Sequence, residues 1–272
     1  MDNLFSVENK SMVITGGAGV LCSEMAIALA KAGAKVCIID KNIKAAETLC
    51  RQIESEGFMA IAIKADVLKK EEFQDALKIV LQKFGAVDIL INGAGGNKKE
   101  ATATDKISFF DLEPAALQAV IDLNLLGTIL PCQVFGSQMA KQGKGIIINI
   151  SSMNAFRPLT NIAAYSAAKA AVSNFTQWLA VYMCRNYSED IRVNAIAPGF
   201  FLTEQNRFLL TDEKSGKLTA RGKTILEHTP MGRFGEPQDL IGTLLWLTSD
   251  ASKFVTGIVL PVDGGFNAFS GV

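Results

Sequence analysis

The run Met12-Val-Ile-Thr15-Gly16-Gly17-Ala18-Gly19-Val20-Leu21-Cys22 sets a β-prone apolar stretch directly before three glycines, and those before a helix of small and apolar residues. Strand, glycine turn and helix in that order bring backbone amides and a helix N-terminus to a point where a pyrophosphate can sit. Glycine alone signals only a tight turn. Its place between strand and helix points to a dinucleotide, with Gly16, Gly19, Val20 and Leu21 nearest to it. Asp40 ends the next strand, about twenty residues further on. A carboxylate there accepts hydrogen bonds from adenosine ribose hydroxyls and repels a 2′-phosphate. NAD is therefore expected over NADP, with Lys41 next door softening the preference.

Outward from this turn, short apolar runs alternate with helical periods. Strands are expected at Met12–Thr15, Lys35–Ile39, Ala60–Lys64, Ile89–Asn92, Gly145–Ile150, Arg192–Ala195 and Ile258–Val262. Residues 69–84 set Phe73, Leu77, Val80, Leu81 and Phe84 on one helical face, and residues 42–56 do the same with Ile43, Ala46, Cys50 and Ile53. The pattern predicts α/β architecture: a single doubly wound Rossmann domain over residues 1–272, with a mainly parallel sheet of about seven strands and helices on both faces. Residues 96–111 and 200–235 break the rhythm, and both follow strand C-terminal ends, where such folds bind ligands. The second is expected to be a substrate lid.

Composition excludes several classes. The 27 Lys+Arg balance the 27 Asp+Glu, so no net field draws the chain to nucleic acid or to an anionic membrane. No uninterrupted apolar run reaches the ~18 residues of a membrane span. The first ten residues carry acids rather than the basic and apolar regions of a secretory signal. Five cysteines, at 22, 37, 50, 132 and 184, lack C-x-x-C spacing. Free thiols in a cytoplasmic protein are expected, and no metal. His228, the one histidine, has no companions at ligand spacing and reads as structural.

Tyr165-Ser-Ala-Ala-Lys169 places a phenol and an ammonium on one helical face. Carbonyl reduction needs an acid as hydride arrives, and a phenol of pKa about 10 suits neutral pH poorly. A neighbouring ammonium stabilises the phenolate, so a lowered Tyr165 is expected. With 3 tyrosines and 20 lysines in the chain, chance supplies about 0.2 such pairs, and the neighbours have to decide. Ser152, just after a strand, can hydrogen-bond the reacting oxygen, and Asn124 can hold a water that connects Lys169 to solvent.

With these residues the chain resembles the short-chain dehydrogenase/reductase family over essentially its whole length. The matches are Thr15-Gly16 with its turn, Asp66-Val67, Asn92-Gly-Ala94-Gly, Asn124, Ser152, Tyr165/Lys169, Arg192-Val-Asn194 and Pro198-Gly199. Pro230-Met-Gly-Arg233 and Val262-Asp-Gly-Gly265 follow near the C-terminus. The resemblance implies Asn124, Ser152, Tyr165 and Lys169 as a catalytic tetrad, with Lys169 also holding the nicotinamide ribose. It implies Asp66 and Val67 at the adenine, Asn92 and Ala94 beside the adenosine ribose, and Phe201 and Thr203 near the carboxamide. Pro198 and Gly199 belong to the same cofactor wall. Two departures stand out: Val20 and Cys22 occupy the last two glycine positions of the family's turn, and Gly93 replaces the commoner second asparagine.

Asn92–Asn97, Gly199–Arg207 and the ending Phe266–Val272 resemble the D-mannonate oxidoreductase (fructuronate reductase) branch of that family, which is related to gluconate 5-dehydrogenases. That resemblance implies a keto sugar acid and its hydroxy acid as the reacting pair, with gluconate at C5 or another polyol as the alternative. A sugar acid needs a cation for its carboxylate and amides or hydroxyls for its own hydroxyls. Arg157 and Asn97 lead the candidates, with Asn154, Ser152 and Tyr165 also at the substrate. Lys98, Lys99, Gln205, Asn206 and Arg207 are further polar loop residues. A nucleotide-binding scaffold without turnover is the alternative outside enzymes. The stripe Phe175, Trp178, Leu179, Tyr182 reads either as core or, by the resemblance, as a contact within a homotetramer.

Overall fold

The computed structural model describes residues 4–202, 210–212 and 216–271. Its seven strands are β1 (Ser11–Thr15), β2 (Lys35–Asp40), β3 (Ala60–Lys64), β4 (Ile89–Asn92), β5 (Gly145–Ile150), β6 (Ile191–Pro198) and β7 (Val259–Val262). All pair in parallel in the order β3-β2-β1-β4-β5-β6-β7. The order reverses between β1 and β4, and a crevice opens there beyond the strand ends. β6 runs three residues past its expected end, to Pro198. There Pro198 pairs with Val262.

Alternate side chains of each strand feed two separate cores, as the period of two requires. Met12, Ile14, Ile38 and Ile91 pack with α1 (Val20–Lys31), α2 (Ile43–Ser55) and α8 (Ile241–Thr248) on one face. Val13, Cys37, Ile39 and Leu90 pack with α3 (Lys70–Phe84), α5 (Gly127–Gln142) and α6 (Ala163–Asn186) on the other. In α3, Phe73, Val80 and Phe84 are buried, and Leu77 and Leu81 lie partly buried beside them. Both faces of the sheet are covered, as expected for strands apolar on both sides.

The segment after β4 holds only two short 3-10 turns, Lys99–Ala101 and Phe109–Asp111, before α4 (Pro114–Ile121). α4 runs into α5 through a π-helical turn, Asp122–Leu126. By length and hydropathy alone, Pro114–Gln142 matches a membrane-spanning helix, which Gln118, Asp122 and Asn124 interrupt in sequence. Cys132, Val134, Phe135 and Met139 of this helix are committed to the sheet core. Within 200–235, the described part includes α7 (Ala220–Glu227), capped by the Thr219 hydroxyl accepting from Gly222 N at 3.0 Å.

Candidate active site

The crevice at the strand ends is a groove of about 720 Å³. Its phosphate end is built by the glycine turn. Gly16 holds φ at +60°, and a Cβ there would lie 2.7 Å from the Ala94 backbone, so only glycine lets β1 and the end of β4 come this close. Gly19 is the N-cap of α1, leaving the first amides of that helix facing the groove. The Asp40 carboxylate is held beside the turn, accepting from Ala18 N at 3.2 Å and Asn42 N at 2.9 Å. Asp66 and Val67 line the groove further along, and the Asp66 carboxylate accepts from Leu68 N at 3.0 Å.

Of the departures from the family's pattern, Cys22 and Gly93 fit one another. Cys22 is buried with its thiol against Gly93, and any Cβ at Gly93 would overlap the Cys22 Sγ. The larger residue on α1 and the smaller one after β4 are a matched exchange of volume.

The other end of the groove is walled by Ser152, Tyr165 and Lys169, with Pro198, Gly199 and Phe201 facing them. Ser152 follows β5 and accepts from Asn154 N at 3.2 Å. Tyr165 and Lys169 sit on α6, and the Lys169 ammonium donates to Ile150 O at 2.7 Å. It lies 5.6 Å from the centroid of the Tyr165 ring. Burial pushes Lys169 down to about 8. Burial also pushes the Tyr165 phenol up, opposed by its hydrogen bond with Ser152. This corrects the expected lowering. In the protein alone the ammonium is turned to a carbonyl, and desolvation dominates the phenol.

Asn124 is fully buried in the π-helical turn, where its side-chain nitrogen donates to Val120 O and Gly96 O, both at 2.7 Å. Its oxygen accepts from Gly96 N at 3.1 Å. The side chain thus ties the loop after β4 to α4. Gly95 fits between them: a Cβ there would lie 2.7 Å from the Asn124 oxygen and 3.2 Å from the Lys169 nitrogen. The glycine run at 93–96 was the only sequence signal for that role.

Not every expected residue reaches the groove. Ala94, Val20 and Leu21 line it; Asn92 does not. Asn92 is turned into the sheet, donating to Asn149 Oδ1 at 2.9 Å and Cys132 Sγ at 3.1 Å, because it is the last residue of a strand buried on both faces. Asn97 donates to Thr102 at 2.8 Å, bracing its own loop, while its neighbour Lys98 lines the groove. Asn154 is buried with an unpartnered side-chain oxygen. Arg157 is exposed one turn after Ser152 and donates from Nε to Asn267 O at 2.7 Å. His228 bonds Thr224 O at 2.8 Å and sits among Phe266 and Phe269, a structural role. Thr203, Gln205, Asn206 and Arg207 lie outside the described residues.

The short-chain dehydrogenase family matches residues 10–214. The chain belongs to that family. It is 50% identical over 98% of its length to an uncharacterised oxidoreductase of Haemophilus influenzae, covering 96% of that protein. A crystal structure from Haemophilus influenza, provisionally described as a D-mannonate oxidoreductase with bound NAD, is 49% identical and superposes with a TM-score of 0.92 over 98% of both chains. The 5-keto-D-gluconate 5-reductase of Escherichia coli K12 is 34% identical over 97% of this chain and 98% of that one. The chain is thus a short-chain dehydrogenase/reductase, an oxidoreductase dependent on a nicotinamide dinucleotide.

Proposed function

We propose that this short-chain dehydrogenase uses NAD(H) to interconvert a keto sugar acid and its hydroxy acid, D-fructuronate and D-mannonate being the pair. The relative crystallised with NAD supports both the cofactor and the substrate class. The observation that carries the cofactor choice is Asp40, whose carboxylate is pinned by two backbone amides where a 2′-phosphate would have to lie. When bound, the dinucleotide supplies or accepts the hydride. The groove fits it, because Gly16 and the α1 N-terminus leave room and amides at the phosphate end.

The chain's own residues then handle the oxygen. The Ser152 hydroxyl holds the carbonyl oxygen, and Tyr165 delivers a proton to it. Lys169 holds the nicotinamide ribose and, turned from Ile150 O toward the phenol, eases loss of that proton. Asn124 fixes the loop behind Lys169. Thr203 completes the cofactor wall, and Asn97, Asn154 and Arg157 serve the substrate. The 200–235 segment acts as the lid. The enzyme works as a cytoplasmic homotetramer in which the α6 stripe meets a partner.

A gluconate C5 specificity is the second reading, favoured by the similarity to the 5-keto-D-gluconate reductase. Following NADH consumption with D-fructuronate, 5-keto-D-gluconate and D-fructose separates them. Fastest turnover of D-fructuronate is expected; preference for the neutral sugar overturns the sugar-acid reading, and equal use of NADPH overturns the role of Asp40. Tyr165→Phe is expected to bind NADH normally while turnover falls roughly 10³-fold. Unchanged turnover would remove Tyr165 from the chemistry.

A further inference from the structure

We propose that the C-terminal segment 263–269 is a strap that fixes the Arg157 guanidinium as the carboxylate subsite of the substrate pocket. The proposal rests on the sugar-acid reading above and adds the device that positions the charge. The segment is a built turn. The Asp263 carboxylate accepts from Gly265 N at 3.0 Å and Asn267 N at 2.8 Å, and Gly264 and Gly265 take φ of +65° and +90°. Phe266 then packs edge-on against Phe200, a groove residue, with ring centroids 5.2 Å apart. His228, anchored on the Thr224 carbonyl at 2.8 Å, contacts both Phe266 at 6.4 Å and Phe269 at 6.2 Å. These contacts join the tail to the groove wall on one side and to α7 on the other.

What the turn presents is the Asn267 carbonyl, and Arg157 Nε donates to it at 2.7 Å. The nature of that acceptor matters. A carbonyl orients the guanidinium without neutralising it, whereas a carboxylate would cancel its charge. Among the described residues, no ion pair involves Arg157. With Nε taken, the two terminal nitrogens retain the parallel donors that match a planar carboxylate. Arg157 lies one turn after Ser152, its backbone amide bonded to Met153 O at 3.0 Å. Arg157 is exposed just outside the groove lining, so under the proposal a sugar acid whose carbonyl meets Ser152 and Tyr165 extends past that lining to set its carboxylate on the guanidinium.

The test is D-mannonate binding to the enzyme–NADH complex, a pairing that cannot react, measured by calorimetry. The forms compared are wild type, Arg157→Ala, a chain ending at Phe266, and the combination of both changes. Each single change is expected to weaken D-mannonate about ten-fold, the effect of losing one bond to a charged group, while NADH affinity stays within about two-fold. The double variant should be no weaker than either single one, because both act through one contact. His228→Ala, which leaves the tail in the chain, is expected to weaken D-mannonate in the same direction and serves if the shortened chain does not fold. Unchanged affinity in Arg157→Ala, or fully additive losses in the double variant, overturns the strap while leaving the sugar-acid reading intact. No D-mannonate binding by the wild type overturns both.

Discussion

Lys169 lines the catalytic end of the groove with its ammonium on a carbonyl and, among the described residues, no carboxylate bonded to it. Its pKa of about 8 lies below the ordinary value of 10.5, so between those pH values the unfolded chain binds more protons than the folded one. Stability from this group therefore rises as pH increases through that window and is depressed below it. Lys169→Met should be more stable than wild type at pH 7, by a margin that narrows toward pH 10 by up to roughly 3 kcal/mol. Urea midpoints at the two pH values measure it, and a constant margin would rule out a depressed lysine. Cys22 and Gly93 allow a second check. Gly93→Ala should lose about 1–3 kcal/mol from overpacking and weaken NADH. Cys22→Gly in the same chain should restore much of both losses. That Tyr165, Lys169, Ser152 and Asp40 line one groove was legible, because residue type and spacing set each of them at a strand end or on one helix face. The inward turn of Asn92 was not, since it depends on Asn149, 57 residues away, across the β4–β5 ladder.

At the scale of elements, the turn at Asp122–Leu126 replaces a regular α-helical turn in the helix 114–142. The irregularity is held by Asn124, which bonds both the helix carbonyl at Val120 and the loop at Gly96. Asn124→Ala leaves those groups without their partner and should cost about 1–3 kcal/mol. Hydrogen exchange should locate the loosening at residues 95–97, and loss spread evenly over the chain would contradict a local tie. Strands and amphipathic helices were readable from their periods of 2 and 3.6. The π-helical turn was not, because nothing in the local pattern at Asp122-Leu-Asn-Leu-Leu126 distinguishes it from α-helix. The Arg157–Asn267 contact was equally hidden, joining residues 110 positions apart.

At the scale of the molecule, α6 carries an aromatic ladder on its outer face. Phe175, Trp178 and Tyr182 stack at 6.1 and 4.9 Å, with Trp178 56% exposed. Exposed apolar surface of this kind is where a partner subunit can dock. Under the proposed tetramer, Trp178→Glu should release smaller species in sedimentation velocity with the fold retained by circular dichroism. An unchanged mass would place the interface elsewhere. The doubly wound order was foreseeable from strand–helix alternation, since right-handed crossovers leave few other arrangements. Which residues of the α6 stripe stay exposed was not, because Leu179 is core while Trp178 beside it is exposed.

Four of the five free cysteines give the folded chain a built-in clock. Cys22, Cys37, Cys50 and Cys132 are buried, and burial pushes the thiols of Cys22 and Cys132 up to about 12 and that of Cys50 to about 11. Thiolate is the form that alkylating agents attack, so at neutral pH these four sulfurs are silent until the domain opens. Their labelling rate in iodoacetamide then reports the opening of the two cores, Cys22 and Cys50 on one face of the sheet and Cys37 and Cys132 on the other. A single quenched time course read by mass spectrometry would show whether the two layers come apart together or one before the other.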